Sequence, residues 1–343
     1  LHKHSNTNTV VIPDFILPNL STKMNQIMKT KFFEIPLSRL MMTLLTVFAL
    51  ALSTACEDDD DGDDVKTITQ TVIDGADFTL LEAAVVRAGL ADALSTGSLT
   101  VFAPTDAAFR AAGFADVNAI NNTPVATLQA VLQYHVIGSK INAAAIQSGD
   151  NQATKMLSNV DAYITKNAAG VSINGATVTQ ADVSASNGVI HVINAVILPP
   201  SVNIVGLASA NANLSYLVAA VTRAGSGVVN ALTAAGPLTV FAPTNAAFQA
   251  AGFPTIASIQ AADPATLANI LTYHVVAARA FSTNLTNGAE LTTAQGGKAK
   301  VTIAAGAVSV LGKGNGVNAS NVSIANLLAT NGVVHVIDRV LLP

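Results

Sequence analysis

The sequence predicts an α+β protein built from two tandem, homologous domains. Three observations carry that reading. TVFAPTDAAF at 100–109 returns as TVFAPTNAAF at 239–248, an offset of 139 residues. NGVIHVINAVILP at 187–199 returns as NGVVHVIDRVLLP at 331–343, an offset of 144, so the second copy carries about five extra residues late in the unit. Within each copy, helical periodicity comes early and β-rich segments come late. A period near 140 is the size of a domain, and far longer than the roughly 20–50 residues of a solenoid repeat.

Each copy opens on an amphipathic helix. In FTLLEAAVVRAG at 78–89, Leu81, Ala84, Val85 and Ala88 recur at helical spacing, and Gly89 suits a left-handed cap. LSYLVAAVTRAG at 214–225 repeats the pattern. LTVFA at 99–103 is β-rich and stops at Pro104. Thr105-Asp106 then supplies a capping side chain for a short Ala-rich helix through Phe109, with Asn245 in place of Asp106 in the second copy. Thr123-Pro124 and Asp263-Pro264 each read as a cap followed by proline at the first helical position. The helix after Pro124 places Leu128, Val131, Leu132 and His135 on one side; its partner does the same with Leu267, Ile270, Leu271 and His274. Short β-rich pieces with Asn and Gly turns follow, among them residues 171–173 and 300–303. The closing run, residues 189–198, is apolar on both alternating faces and predicts a central strand buried on both sides. Pro199-Pro200 stiffens the junction, which is too short for a free tether and predicts a restricted domain orientation.

Composition narrows the function classes. Charged residues make up only 11% of the chain, and mean hydropathy is +0.48, which excludes a disordered chain. From Cys56 onward there are 12 Lys and Arg against 19 Asp and Glu, and seven of those acids fall between residues 57 and 64. The two repeats are therefore near neutral, with no basic face for nucleic acid.

The N-terminal residues belong to neither copy. Lys29, Lys31 and Arg39 precede an apolar run at 40–52, and then Ser53-Thr54-Ala55-Cys56. A basic segment, a short apolar core and small residues before the break form a secretory signal, here 28–55. The run is shorter than the roughly 20 residues that span a bilayer. Cys56, the chain's single cysteine, follows Thr54-Ala55 as in a lipobox, which resembles the lipid attachment of bacterial lipoproteins. Residues 1–27 read as an over-extended start. The acidic stretch through 65 reads as a solvated, self-repelling tether, and resembles the export signal of Bacteroidetes surface lipoproteins.

Taken in order, TVFAPT[DN]AAF, then Tyr-His, then NGV[IV]HVI[ND]xV[IL]LP resemble the fasciclin domain, over 66–199 and again over 202–343. The resemblance implies, for each copy, a wedge-shaped β-sandwich of about seven strands with packed helices. It further implies an extracellular or membrane-anchored adhesion role, and neither an enzymatic activity nor a cofactor. In some animal relatives the Tyr-His segment is proposed to contact integrins. That carry-over makes Tyr134, His135, Tyr273 and His274 candidate binding residues. The competing reading is that each histidine ends an amphipathic helix inside the core, and the helical pattern favours it.

Other chemistry finds little support. His135, His191, His274 and His335 are the only histidines after the signal, two per copy; two imidazoles without cysteine make a poor zinc site. Gly225-Ser226-Gly227 lacks the nucleophile-elbow pattern. Gly312-Lys313-Gly314-Asn315-Gly316 lacks the Ser or Thr of a phosphate loop. That second stretch lies in residues 311–321, where the copies diverge most, so Lys313 and Asn315 are further binding candidates. The expectation is a non-enzymatic, lipid-anchored surface protein of the bacterial envelope, in the outer membrane, meeting a protein or polysaccharide partner and no nucleic acid. The alternative is a glycan- or small-ligand-binding lipoprotein serving envelope uptake.

Overall fold

The computed structural model describes residues 65–343, so the signal, Cys56 and the acidic run through Asp64 lie outside the described residues. The described residues form one unit. Its first half runs α1 (Ile68–Asp74), α2 (Thr79–Ala88), α3 (Ala91–Ser95), β1 (Leu99–Pro104), α4 (Asp106–Ala111), α5 (Val117–Asn121) and α6 (Val125–Gln133). Strands follow: β2 (Val136–Ile137), β3 (Gly149–Lys155), β4 (Asp161–Asn167), β5 (Gly170–Ile173), β6 (Ala176–Ala185) and β7 (Gly188–Ile193). The second half repeats the order with α7 (Ile204–Ala210), α8 (Ser215–Ala224), α9 (Ser226–Thr233), β8 (Leu238–Pro243), α10 (Asn245–Ala250), α11 (Ile256–Ala261) and α12 (Pro264–Tyr273). It closes with β9 (Val275–Val276), β10 (Glu290–Thr292), β11 (Lys298–Ala304), β12 (Ala307–Gly312), β13 (Ser320–Ala329) and β14 (Gly332–Ile337).

Each domain holds one seven-stranded ladder, in the order β2-β1-β7-β6-β5-β4-β3 and its equivalent. The two repeated boxes are neighbours in space: β1 pairs β7 in parallel, from Leu99 opposite Gly188 to Pro104 opposite Ile193. β8 and β14 do the same. All six residues of β7 are buried, as two apolar faces require of a central strand. One face of the pair, with Val101, Ala103 and Ile190, packs on the helices. The other, with Phe102 and Ile193, packs on Ile164 and Ile173 of β4 and β5. The ladder thus folds over itself into two leaves, a sandwich with helices as a third layer.

Three local expectations need correcting. The closing strand ends at Ile193, not Leu198, because Asn194 turns away: its N–H donates to the Thr177 carbonyl (3.1 Å) and its Oδ1 accepts from Thr177 N–H (2.8 Å). Thr123 does not cap α6; its hydroxyl donates back to the Ala119 carbonyl (2.9 Å), whereas Asp263 does cap α12 by accepting from Thr266 N–H (2.8 Å). The cap of α4 is Thr105 alone. Asp106 instead accepts from Leu80 N–H (2.8 Å), at the start of α2, and Asn245 accepts from Tyr216 N–H (3.0 Å) at the start of α8. The Asp-to-Asn exchange keeps that bond and drops the charge.

The domains dock directly, which accounts for the restricted orientation expected of the Pro199-Pro200 junction. The Arg279 guanidinium stacks 3.7 Å above the Tyr163 ring centroid. Asn151 Nδ2 donates to the Arg279 carbonyl (2.7 Å), and Asn284 Nδ2 donates to Thr165 Oγ1 (2.8 Å) and Asp150 Oδ1 (3.0 Å). Ser172 and Thr283 share a hydroxyl bond (2.9 Å), and Asn326 Nδ2 donates to the Gly175 carbonyl (3.2 Å).

Candidate functional site

The Tyr-His pairs end α6 and α12 and point inward. Tyr134 and His135 are 0% and 2% exposed, Tyr273 and His274 1% each. His135 Nδ1–H donates to the Val131 carbonyl one turn back (2.7 Å), and Nε2 accepts from Ile197 N–H (3.1 Å). His274 repeats this with Ile270 (2.8 Å) and Leu341 (2.9 Å). Facing one carbonyl and one N–H, each ring is held as a single neutral tautomer. Burial pushes both imidazoles down to about 4. The ring therefore ties the end of a helix to the segment that follows the closing strand.

The tyrosine hydroxyls show where the copies part. Tyr134 OH donates to the Asp161 carbonyl (2.9 Å) and accepts from Asn174 Nδ2 (2.9 Å), in the tight turn between β5 and β6. Burial raises its pKa to about 12. Tyr273 OH donates to the Lys298 carbonyl and accepts from Lys313 N–H (3.0 Å), in the longer loop that replaces that turn. The extra residues of the second copy thus take over the role of Asn174.

His191 and His335 sit in the closing strands, 1% and 0% exposed. His191 Nε2–H donates to the Ile141 carbonyl (2.9 Å) and Nδ1 accepts from Asp182 N–H (3.2 Å). His335 matches it with Ala280 (2.8 Å) and Asn326 (3.3 Å). Asp182 and Asn326 lie at φ +58° and +63°, inside bulges of β6 and β13. Each strand histidine thus satisfies a backbone N–H that the bulge takes out of the ladder. Burial also lowers the pKa of His335. With both ring nitrogens of all four histidines engaged, none offers a lone pair to a metal, and no described cluster of three or more His, Cys, Asp or Glu could hold one.

Lys313 and Asn315 occupy a one-turn 3-10 helix, residues 313–315. Asn315 is consumed internally: its Nδ2 donates to the Val340 carbonyl (2.9 Å) and its Oδ1 accepts from Leu342 N–H (2.8 Å). Gly314 N–H reaches the Leu342 carbonyl (3.0 Å). This bracing leaves Lys313 exposed and presents Val317 at 93% exposure, an apolar tip on a fixed base. Sequence reasoning reached the loop but not Val317. It also missed Arg279, Tyr163 and Asn151, since a residue that docks one domain on another has no local signature. Asn284, which begins an Asn-x-Thr triplet, is taken up by the same interface.

The fasciclin-domain profile matches residues 76–199 and 212–343. Protein sll1483 of Synechocystis sp. is 42% identical over 142 residues, 40% of this chain and 76% of that protein. The pig transforming growth factor-beta-induced protein ig-h3 is 34% identical over 36% of this chain, a stretch that is only 18% of its own length. The cell surface glycolipoprotein MPB83 of Mycobacterium bovis is 34% identical over 33% of this chain and 49% of its own. Among solved structures, a FAS1 domain pair from the insect cell adhesion molecule fasciclin I aligns with a TM-score of 0.39 at 21% identity, covering 77% of this chain and 96% of its own. With its profile matched twice over most of the chain, and the two signature boxes paired strand to strand in both halves, the chain belongs to the fasciclin-domain family.

Proposed function

We propose that the chain is a non-enzymatic surface interaction protein, held at the bacterial envelope by lipid on Cys56 and acting through its fasciclin pair. The observation that carries this reading is the braced loop at 313–317. It exposes Lys313 and Val317 on a domain that Arg279 locks to its neighbour. A contact surface that is already ordered loses little entropy on binding. The surface glycolipoprotein among the relatives supports an envelope location, and the acidic stretch after Cys56 fits a spacer. Deletion of residues 66–343 is expected to weaken attachment of cells to one another or to matrix, and Lys313→Glu with Val317→Asp to do so without loss of stability. Unchanged attachment in both would sink the adhesive reading. Cys56→Ala is expected to release the protein from the membrane fraction; a variant that stays membrane-bound would refute the lipid anchor.

A second reading, capture of a glycan, is favoured by one feature. A cleft of about 540 Å³ runs between the domains, with Asn174, Ser201 and Asn326 among its lining. Isothermal titration with envelope oligosaccharides tests it, and absence of saturable heat counts against it.

A further inference from the structure

The two domains carry an apolar pocket in the same place, and that of domain 2 is the roomier. In domain 2 a cavity of about 250 Å³ lies between α7, α8, α9, β8 and α12. Its walls are aliphatic, and the only titratable group among them is His274, both of whose nitrogens are already engaged. In domain 1 the matching space, between α1, α2, α3 and β1, is only about 90 Å³. The buried Val72 stands where Ala208 does, and the exposed Ile73 and Val86 stand at the rim where Ser209 and Thr222 do. The fold therefore does not demand a cavity of this size; this copy has the larger one.

The opening has its own chemistry. Ser209 and Thr222 are the exposed residues of the lining. Their hydroxyl protons are spent on Val205 (2.8 Å) and Val218 (2.9 Å) carbonyls, which leaves oxygen lone pairs facing outward. A dry aliphatic cavity of about 150 Å³ already holds a benzene-sized guest in an engineered enzyme, and at ~30 Å³ for each water-sized group this one takes about eight. A dry interior with a hydroxylated rim fits an amphiphile whose tail enters and whose head stays outside.

We propose that domain 2 binds one medium-length alkyl or acyl chain in this cavity, with the polar end of the ligand at Ser209 and Thr222. The site lies apart from the 313–317 loop, so its fate does not depend on the adhesive reading. The test is a calorimetric titration of the purified Cys56→Ser chain, which carries no lipid of its own, with straight-chain primary alcohols of increasing length, whose O–H can donate to the rim oxygens. Affinity is expected to rise about fourfold per methylene and to level off near eight carbons. Ala208→Val, which imports the residue domain 1 already tolerates, is expected to move that break about two carbons shorter. No saturable binding of an alcohol or of a lysophospholipid at any length overturns the site. So does a series that keeps climbing without a break, or a break that Ala208→Val leaves in place. A single-chain lysophospholipid, whose glycerol hydroxyl can donate, run beside the free alcohols separates the two sources of such a chain. Saturable, Ala208→Val-sensitive binding of either one sustains the proposal and names its source; binding of neither refutes it.

Discussion

Acidification from pH 7 to pH 4 tests whether the Tyr-His segment is part of the core. His135 and His274 are each held neutral by a carbonyl on one nitrogen and an N–H on the other. Protonation would set a second N–H against the N–H of Ile197 or Leu341, inside the protein. Burial accordingly lowers both pKa values from 6.5 to about 4. Below pH 6.5 the unfolded chain takes up protons that the folded chain refuses, so stability falls as pH falls. The contribution is fully present above pH 6.5, declines through the interval down to about 4, and is exhausted below it. Each pH unit that separates the folded from the unfolded pKa is worth about 1.4 kcal/mol, so each ring accounts for about 3.5 kcal/mol in its own domain. That is a large part of the roughly 5–15 kcal/mol that holds an ordinary domain folded. Urea denaturation at half-unit steps of pH is expected to show the midpoint sliding steadily between pH 6.5 and 4. In His274→Ala the slope should diminish by one proton's share. A midpoint that stays level across this interval, or imidazole proton resonances of His135 and His274 titrating near 6.5, would refute the reasoning.

Three further outcomes follow from the geometry. A Cβ on Gly188 would strike the Leu99 carbonyl of the parallel neighbour, as would one on Gly332 against Leu238, so Gly188→Ala is expected to cost about 3 kcal/mol or more; a near-neutral result in urea denaturation would contradict the parallel pairing. Asp106→Ala should cost about 1 kcal/mol by uncapping α2, whereas Asp106→Asn should be close to neutral, since Asn245 makes the same bond in domain 2. Equal losses in the two variants would show that charge matters more than the cap. Arg279→Ala removes the stacking on Tyr163 and is expected to weaken domain docking by about 1–2 kcal/mol, read by calorimetry as two unfolding transitions where the parent shows one; an undivided transition would assign the docking to the hydrogen bonds alone.

How far these features could be read in advance depends on how local their causes are. The helix at 79–88 and its left-handed Gly89 were legible because spacing and cap lie within a dozen residues. The burial of residues 188–193 on both faces was legible for the same reason. Where the strand stops was not, because Asn194 is held by Thr177, across the sheet. Asp106 looked like the cap of its own helix and serves another 26 residues away, a choice that only packing makes. The bulge residues Asp182 and Asn326 left a faint trace in their tolerance of positive φ, but their histidine partners come from the next strand. Arg279 left no trace at all.

The duplication turns the chain into its own control. Where the copies agree, the shared residues do structural work that both domains need: two boxes paired as parallel strands, a tyrosine and two histidines whose polar atoms are engaged inside the domain. Such residues cannot also be an accessible recognition surface, since every atom that could recognise a partner is occupied. Where the copies differ, the differences leave the fold intact and alter what solvent meets. The 313–317 loop replaces a tight turn, keeps the bond to the tyrosine, and adds an exposed valine and lysine. Ala208 replaces the buried Val72, Ser209 and Thr222 replace the exposed Ile73 and Val86, and the helices stay while the cavity is larger and its mouth hydroxylated. Both departures belong to domain 2. Selection for stability alone would shrink the cavity to the size its own sister domain keeps, so the second copy is where a function specific to this chain should reside.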